Sequence, residues 1–147
     1  MQKILILFFI LLAQSFAFYQ DNQPYRCTEQ QRAKNFRCTR EAHPVCGIQQ
    51  GSQPYEQIKV DQSNVCMACS ELANIFLFIG PCNRIPSGAQ VCDPDYKGLK
   101  NCPTNKQQVC GYRSNGIGWH TFLNECKACS KSDVVFFKQG KCPVNTF

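Results

Sequence analysis

The chain has 147 residues, 12 of them Cys, with 16 Lys plus Arg against 10 Asp plus Glu, a formal net charge of +6 and a hydrophobic fraction of 44%. So many cysteines in so short a chain exclude an ordinary cytosolic enzyme and the collagen-like, coiled-coil and disordered classes; they mark a small scaffold held by cross-links, whose core alone cannot offset the chain entropy lost on folding. The modest charge, including the run from Arg32 to Arg40, reads as a solvated basic face and not as a nucleic-acid or membrane contact.

The opening segment carries one cation at Lys3, an apolar run from Ile4 to Ala13, and small residues at Ser15 and Ala17. It reads as a signal peptide over 1–17, cut after Ala17. The run of about ten residues is too short to cross ~30 Å of hydrocarbon, and no second run approaches that length. A secreted, extracellular chain of 130 residues is expected, with 15 minus 10, or +5, charges and all 12 Cys. An even Cys count in an oxidising compartment reads as six disulfides.

The Cys positions fall into two series of six. Between successive Cys from Cys27 to Cys82 lie 10, 7, 19, 2 and 12 residues, and from Cys92 to Cys142 lie 9, 7, 15, 2 and 12. Flanking residues agree: Val45-Cys46-Gly47 with Val109-Cys110-Gly111, and Asn64-Val65-Cys66-Met67-Ala68-Cys69-Ser70 with Asn124-Glu125-Cys126-Lys127-Ala128-Cys129-Ser130. This reads as an internal duplication. One unit covers 18–85 and the other 92–147. The polar stretch between them, with Pro86 and Gly88, makes 86–91 a short linker.

Within the first unit, the stretch from Val45 and the stretch before Cys66 read as two hairpin arms around the turn residues Gln50 to Pro54. Asn64 suits a helix N-cap, and the Cys pair three apart then shares one helical face. The apolar run Ile75 to Ile79 has strand composition and ends at Gly80. In the second unit Ser114-Asn115-Gly116 signals the turn, Asn124 the cap, and Val134 to Phe137 the returning strand. A small disulfide-rich α+β fold is expected. Each unit would hold a short β-hairpin or three-stranded sheet, one short helix and three disulfides. Spacing alone leaves 15 pairings open in each set of six Cys.

The pattern resembles the Kazal-type serine protease inhibitor family. The residues that carry the resemblance are Cys38 to Gly47 with Pro44-Val45-Cys46-Gly47, Asn64-Val65-Cys66-Met67-Ala68-Cys69 and Gly80-Pro81-Cys82, and in the second unit Cys102 to Gly111, Asn124 to Cys129 and Gly140-Lys141-Cys142. It covers essentially the whole mature chain. The Cys46 to Cys66 gap is longer than the family's, the Cys69 to Cys82 gap shorter, and the family Tyr two residues before the Asn is Gln62 in one unit and Phe122 in the other. The resemblance implies two tandem Kazal-like modules with Cys27 bonded to Cys69, Cys38 to Cys66, Cys46 to Cys82, Cys92 to Cys129, Cys102 to Cys126 and Cys110 to Cys142. Each bond would contribute on the order of 3 kcal/mol by restricting the unfolded chain.

It also implies a protease-binding loop after the second Cys. The residues are Thr39, Arg40, Glu41 and Ala42, with Arg40 entering the protease's primary pocket and Asn64 holding the loop from behind. A guanidinium suits a pocket floored by a carboxylate, so the expected partner is a secreted trypsin-like serine protease, inhibited in a substrate-like way by a monomer. In the second unit the loop is Pro103, Thr104 and Asn105, supported by Asn124, and it is expected to act as a spacer. The rival reading is a non-inhibitory, follistatin-like extracellular binding module. Cys66-x-x-Cys69 and Cys126-x-x-Cys129 could form a zinc or redox centre, but secretion and eight further Cys favour oxidation. The two His, His43 and His120, read as exposed turn residues and not as bases. No enzyme activity, metal, cofactor, nucleic acid or membrane partner is expected.

Overall fold

The computed structural model describes residues 21–33, 37–114 and 118–143. The expected signal segment 1–17 with its cut after Ala17, and Asn115 and Gly116 of the expected turn, lie outside the described residues.

The first half contains β1 (Pro24–Tyr25), α1 (Glu29–Arg32), β2 (Val45–Gln50), β3 (Gln57–Gln62), α2 (Val65–Ser70) and β4 (Asn74–Phe78). β2 and β3 form the expected antiparallel hairpin, with Val45 opposite Gln62 and Gln50 opposite Gln57. Its tip is tied by Gly51 N–H to the Glu56 carbonyl at 2.8 Å, while the Glu56 carboxylate accepts from Gln53 N–H and the Ser52 hydroxyl, each at 3.0 Å. The bond from the Gln53 N–H, followed by that from Ser52, holds the exposed Glu56 carboxyl below its ordinary pKa. The apolar run then returns as β4 against β2, and β1 adds to its outer edge, giving the order β1-β4-β2-β3. α1 begins with a capping box: Thr28 Oγ1 accepts from Gln31 N–H at 3.3 Å, and Gln31 Oε1 accepts from Thr28 N–H at 2.9 Å.

The second half repeats the plan with β5 (Gln90–Val91), β6 (Val109–Arg113), β7 (Gly118–Phe122), α3 (Glu125–Cys129) and β8 (Val134–Gln139), in the order β5-β8-β6-β7. Each sheet therefore has four strands where three were expected, because two-residue edge strands β1 and β5 complete them. The stretch 86–91, read from the sequence as a linker, ends in β5 and carries Ala89 and Val91 into the interior. Among the described residues, no helix is long and apolar enough to cross a membrane.

Six disulfides join Cys27 to Cys69, Cys38 to Cys66, Cys46 to Cys82, Cys92 to Cys129, Cys102 to Cys126 and Cys110 to Cys142. α2 packs Val65, Ala68 and Cys69 on Val45 and Leu77 of the first sheet. In the same way α3 packs Ala128 and Cys129 on Val109 and Phe137 of the second. A third cluster belongs to both halves: Ile48, Phe76 and Phe78 meet Ile85, Ala89 and Val91 from the connecting stretch and Val135 and Phe136 from the second sheet. Each of the Val, Ile and Phe side chains, when fully buried, contributes roughly 1.5–3 kcal/mol by leaving water.

Polar clamps flank this shared core. Arg26 Nη2 lies 2.6 Å from Asp93 and 2.8 Å from Asp95, and Lys59 Nζ donates to the Ala89 carbonyl at 2.6 Å. Burial at that contact lowers the Lys59 pKa. The Gln90 side chain donates to the Tyr55 carbonyl. Tyr55, Gln57 and Lys59 all stand on the first hairpin, whose Cys46 to Cys66 gap exceeds its counterpart by 19 minus 15, or four, residues. Its length lets the hairpin reach the second half.

Candidate functional site

Residues 39–42 carry no helix or strand, and all four side chains are exposed. Four covalent and polar ties fix this stretch. Cys38 is bonded to Cys66 on α2, and Cys46 at the far end is bonded to Cys82. Between them the His43 N–H donates to the Ser63 carbonyl at 2.9 Å.

The central tie is Asn64, which is 7% exposed. Its Oδ1 accepts from the Met67 N–H at 2.9 Å, so it caps α2. Its Nδ2 donates to the carbonyls of Thr39 at 3.1 Å and Glu41 at 2.9 Å, one on each side of Arg40. A side-chain amide is suited to this because it offers two donor hydrogens and an acceptor oxygen in one plane. The helix fixes the amide, and the amide fixes the loop. Among the described residues, no hydrogen bond or ion pair engages the Arg40 guanidinium.

Asn124 repeats the arrangement in the second half. Its Oδ1 accepts from the Lys127 N–H at 2.9 Å, and its Nδ2 donates to the carbonyls of Pro103 at 2.8 Å and Asn105 at 3.0 Å, on either side of Thr104. Cys102 is bonded to Cys126 on α3. Pro103, Thr104 and Asn105 are exposed. The two loops thus share one support and differ in the side chain held at the centre, a long cation in one and a small hydroxyl in the other.

All 12 Cys are in disulfides, so the sulfurs of both Cys-x-x-Cys pairs are committed to partners elsewhere in the chain. No group of three or more His, Cys, Asp or Glu among the described residues is placed to hold a metal ion. His43 is exposed in the first loop, and His120 is half-buried in β7.

The sequence reading did not single out Tyr55, Tyr96 or Glu125. With Asn105 and Gln107 they line a small cavity beneath the second loop, where the tip of the first hairpin meets the second half. Tyr55 reaches it only because that hairpin is long, a length visible in the Cys spacing but without a direction attached. No protein-family model matches the chain, and no curated protein and no solved structure matches it.

Proposed function

We propose that the chain is a secreted inhibitor of trypsin-like serine proteases, built from two Kazal-like units, 18–85 and 92–147, and acting through Arg40. The observation that carries this reading is the pair of bonds from Asn64 to the carbonyls on both sides of Arg40. A loop so held presents an uncommitted guanidinium in one fixed backbone shape and loses little entropy on association.

The chemistry is substrate mimicry without release. Arg40 enters a pocket floored by a carboxylate and makes a charge-assisted, two-toothed pair with it. The protease serine attacks the Arg40 carbonyl, but the disulfides to Cys66 and Cys82 and the Asn64 bonds keep the new ends together, so the acyl-enzyme is attacked by its own leaving amine and the peptide bond re-forms. Thr39 and Glu41 flank Arg40, and Glu41 and Ala42 lie on the leaving side.

The test is a titration of the full mature protein against trypsin, elastase and subtilisin. Stoichiometric loss of trypsin activity is expected. Arg40→Ala should remove it, because the pocket carboxylate would be left buried and unpaired at a cost of roughly 2–5 kcal/mol. Thr104→Ala should leave trypsin inhibition unchanged. If the native protein leaves every Arg-specific protease active at micromolar concentration, the inhibitor reading fails and an extracellular binding module takes its place.

A further inference from the structure

The protein is basic overall, yet acidic groups gather at the junction of its halves. Asp93 and Asp95 are answered by Arg26, at 2.6 and 2.8 Å. Glu125, on the first turn of α3, has no such answer: among the described residues no cation and no hydrogen-bond donor engages its carboxylate. Glu125 borders a cavity of about 140 Å³ whose other walls include Tyr55, Tyr96, Asn105 and Gln107. No Lys, Arg or His lines it.

We propose that this junction cavity binds an organic ammonium group, with Glu125 as the counter-charge and Tyr55 and Tyr96 as the aromatic walls. The parts fit that chemistry. Aromatic ring faces attract a cation, most strongly where water is partly excluded, and a half-buried carboxylate supplies a directional hydrogen-bond acceptor. The site needs both halves of the chain, since Tyr55 comes from the first hairpin and Tyr96 and Glu125 from the second half. Its position under Pro103 and Asn105 makes it separate from the Arg40 loop. Burial first, and then the field of Asp93, raise the Glu125 carboxyl above its ordinary pKa, as expected of an acid left without a cation. Burial and the negative charge of Glu125 raise Tyr96 likewise.

The ammonium could be a free alkylamine or the head of a lysine side chain, and two probes separate them. The full mature protein is titrated at neutral pH with n-butylammonium and with Nα-acetyl-lysine methylamide, followed by nuclear magnetic resonance shifts at Tyr55, Tyr96 and Glu125. The neutral isostere n-butanol is run beside them. Saturable binding at about millimolar concentration is expected for a ligand this small. Tighter binding of n-butylammonium points to a free amine, and tighter binding of the lysine derivative points to a side chain of a partner. Glu125→Gln should weaken either by about tenfold, Tyr55→Ala should weaken it less, and Tyr96→Phe, which keeps the ring, should leave it nearly unchanged. Equal binding of n-butanol, no saturable shift with either cation, or unchanged affinity in Glu125→Gln would each overturn the proposal.

Discussion

Gln57 and Val91 form a two-way pair across the junction of the halves: Gln57 Nε2 donates to the Val91 carbonyl at 2.9 Å, and the Val91 N–H donates to Gln57 Oε1 at 2.8 Å. The side-chain amide takes the place that another strand would take on the free edge of β5. Gln57→Ala would leave both Val91 groups part-buried and unpaired, which costs about 1–3 kcal/mol. Urea unfolding should register that loss. A change smaller than ~0.5 kcal/mol would mean that water reaches the β5 edge and satisfies it.

The same junction should make unfolding a single event. Phe78 and Phe136 belong to different sheets, and their ring centroids are 5.3 Å apart. Phe136→Ala should open a cavity in the shared core and cost about 3–5 kcal/mol. With disulfides intact, one transition is expected in calorimetry for the native chain, moved to lower temperature as a whole in the variant. Two transitions, of which only one moves, would show that the halves unfold separately.

Gly47 explains one residue that the two Cys series share. A Cβ there would lie 2.5 Å from Asn74 Oδ1 and 2.6 Å from its Nδ2. Asn74 is fully buried; it accepts from Gln49 Nε2 at 3.0 Å and donates to the Ala68 carbonyl at 2.8 Å, so it cannot move aside without losing both. At the matching position, Gly111, a Cβ would lie 2.8 Å from Phe122. Gly47→Ala should therefore destabilise by about 2–4 kcal/mol, as overpacking plus broken buried hydrogen bonds. Asn74→Ala together with Gly47→Ala should recover part of the overpacking cost.

What the sequence made legible was local. An Asn before a Cys-x-x-Cys pair announces a cap because N-cap chemistry acts within three residues, and Asn64 and Asn124 both cap as that reading requires. The apolar runs that became β4 and β8 carry their own strand composition. The edge strands β1 and β5 do not, since two residues such as Gln90 and Val91 become strand only by pairing with Phe137 and Phe136. The capping box at Thr28 and Gln31 opens a helix of only four residues. The shared core could not be foreseen because Ala89 and Val91 lie in the stretch 86–91, whose Pro and Gly read as a linker, and its members Ile48, Val135 and Phe136 are far from that stretch in sequence. The Tyr55, Tyr96 and Glu125 cavity gathers three separate segments and has no sequence signature.

Glu125 should leave a mark on the pH dependence of stability. Its folded pKa is raised, so between the ordinary carboxylate value and the raised one the folded chain keeps a proton that the unfolded chain has lost. Through that window stability falls as pH rises, and above it the ionised carboxylate remains a cost. Glu125→Gln should therefore be more stable than the native protein at neutral pH in the absence of added amines. The advantage should vanish below about pH 4, where Glu125 is protonated in both states. An advantage that persists unchanged at pH 3 would assign it to packing and not to charge.

The last prediction separates the two duties of Asn64. Asn64→Asp keeps an oxygen to accept from the Met67 N–H and so keeps the cap of α2, but it lacks the hydrogens that bind the Thr39 and Glu41 carbonyls. Asn64→Ala loses both. In stability, the Ala variant should fall by about 1 kcal/mol more than the Asp variant, the usual worth of a cap. In protease inhibition, the two should fall together, by about 30-fold, since two bonds of about 1 kcal/mol each no longer hold the loop in shape. The freed loop should also be cut after Arg40 faster than the native one, because ends that can move apart re-form the peptide bond less often. Circular dichroism during thermal unfolding reads the first effect, and inhibition constants with mass spectrometry of the cut chain read the second. If Asn64→Asp inhibits as tightly as the native protein, the disulfides from Cys38 and Cys46 alone hold the loop, and the amide serves only the helix.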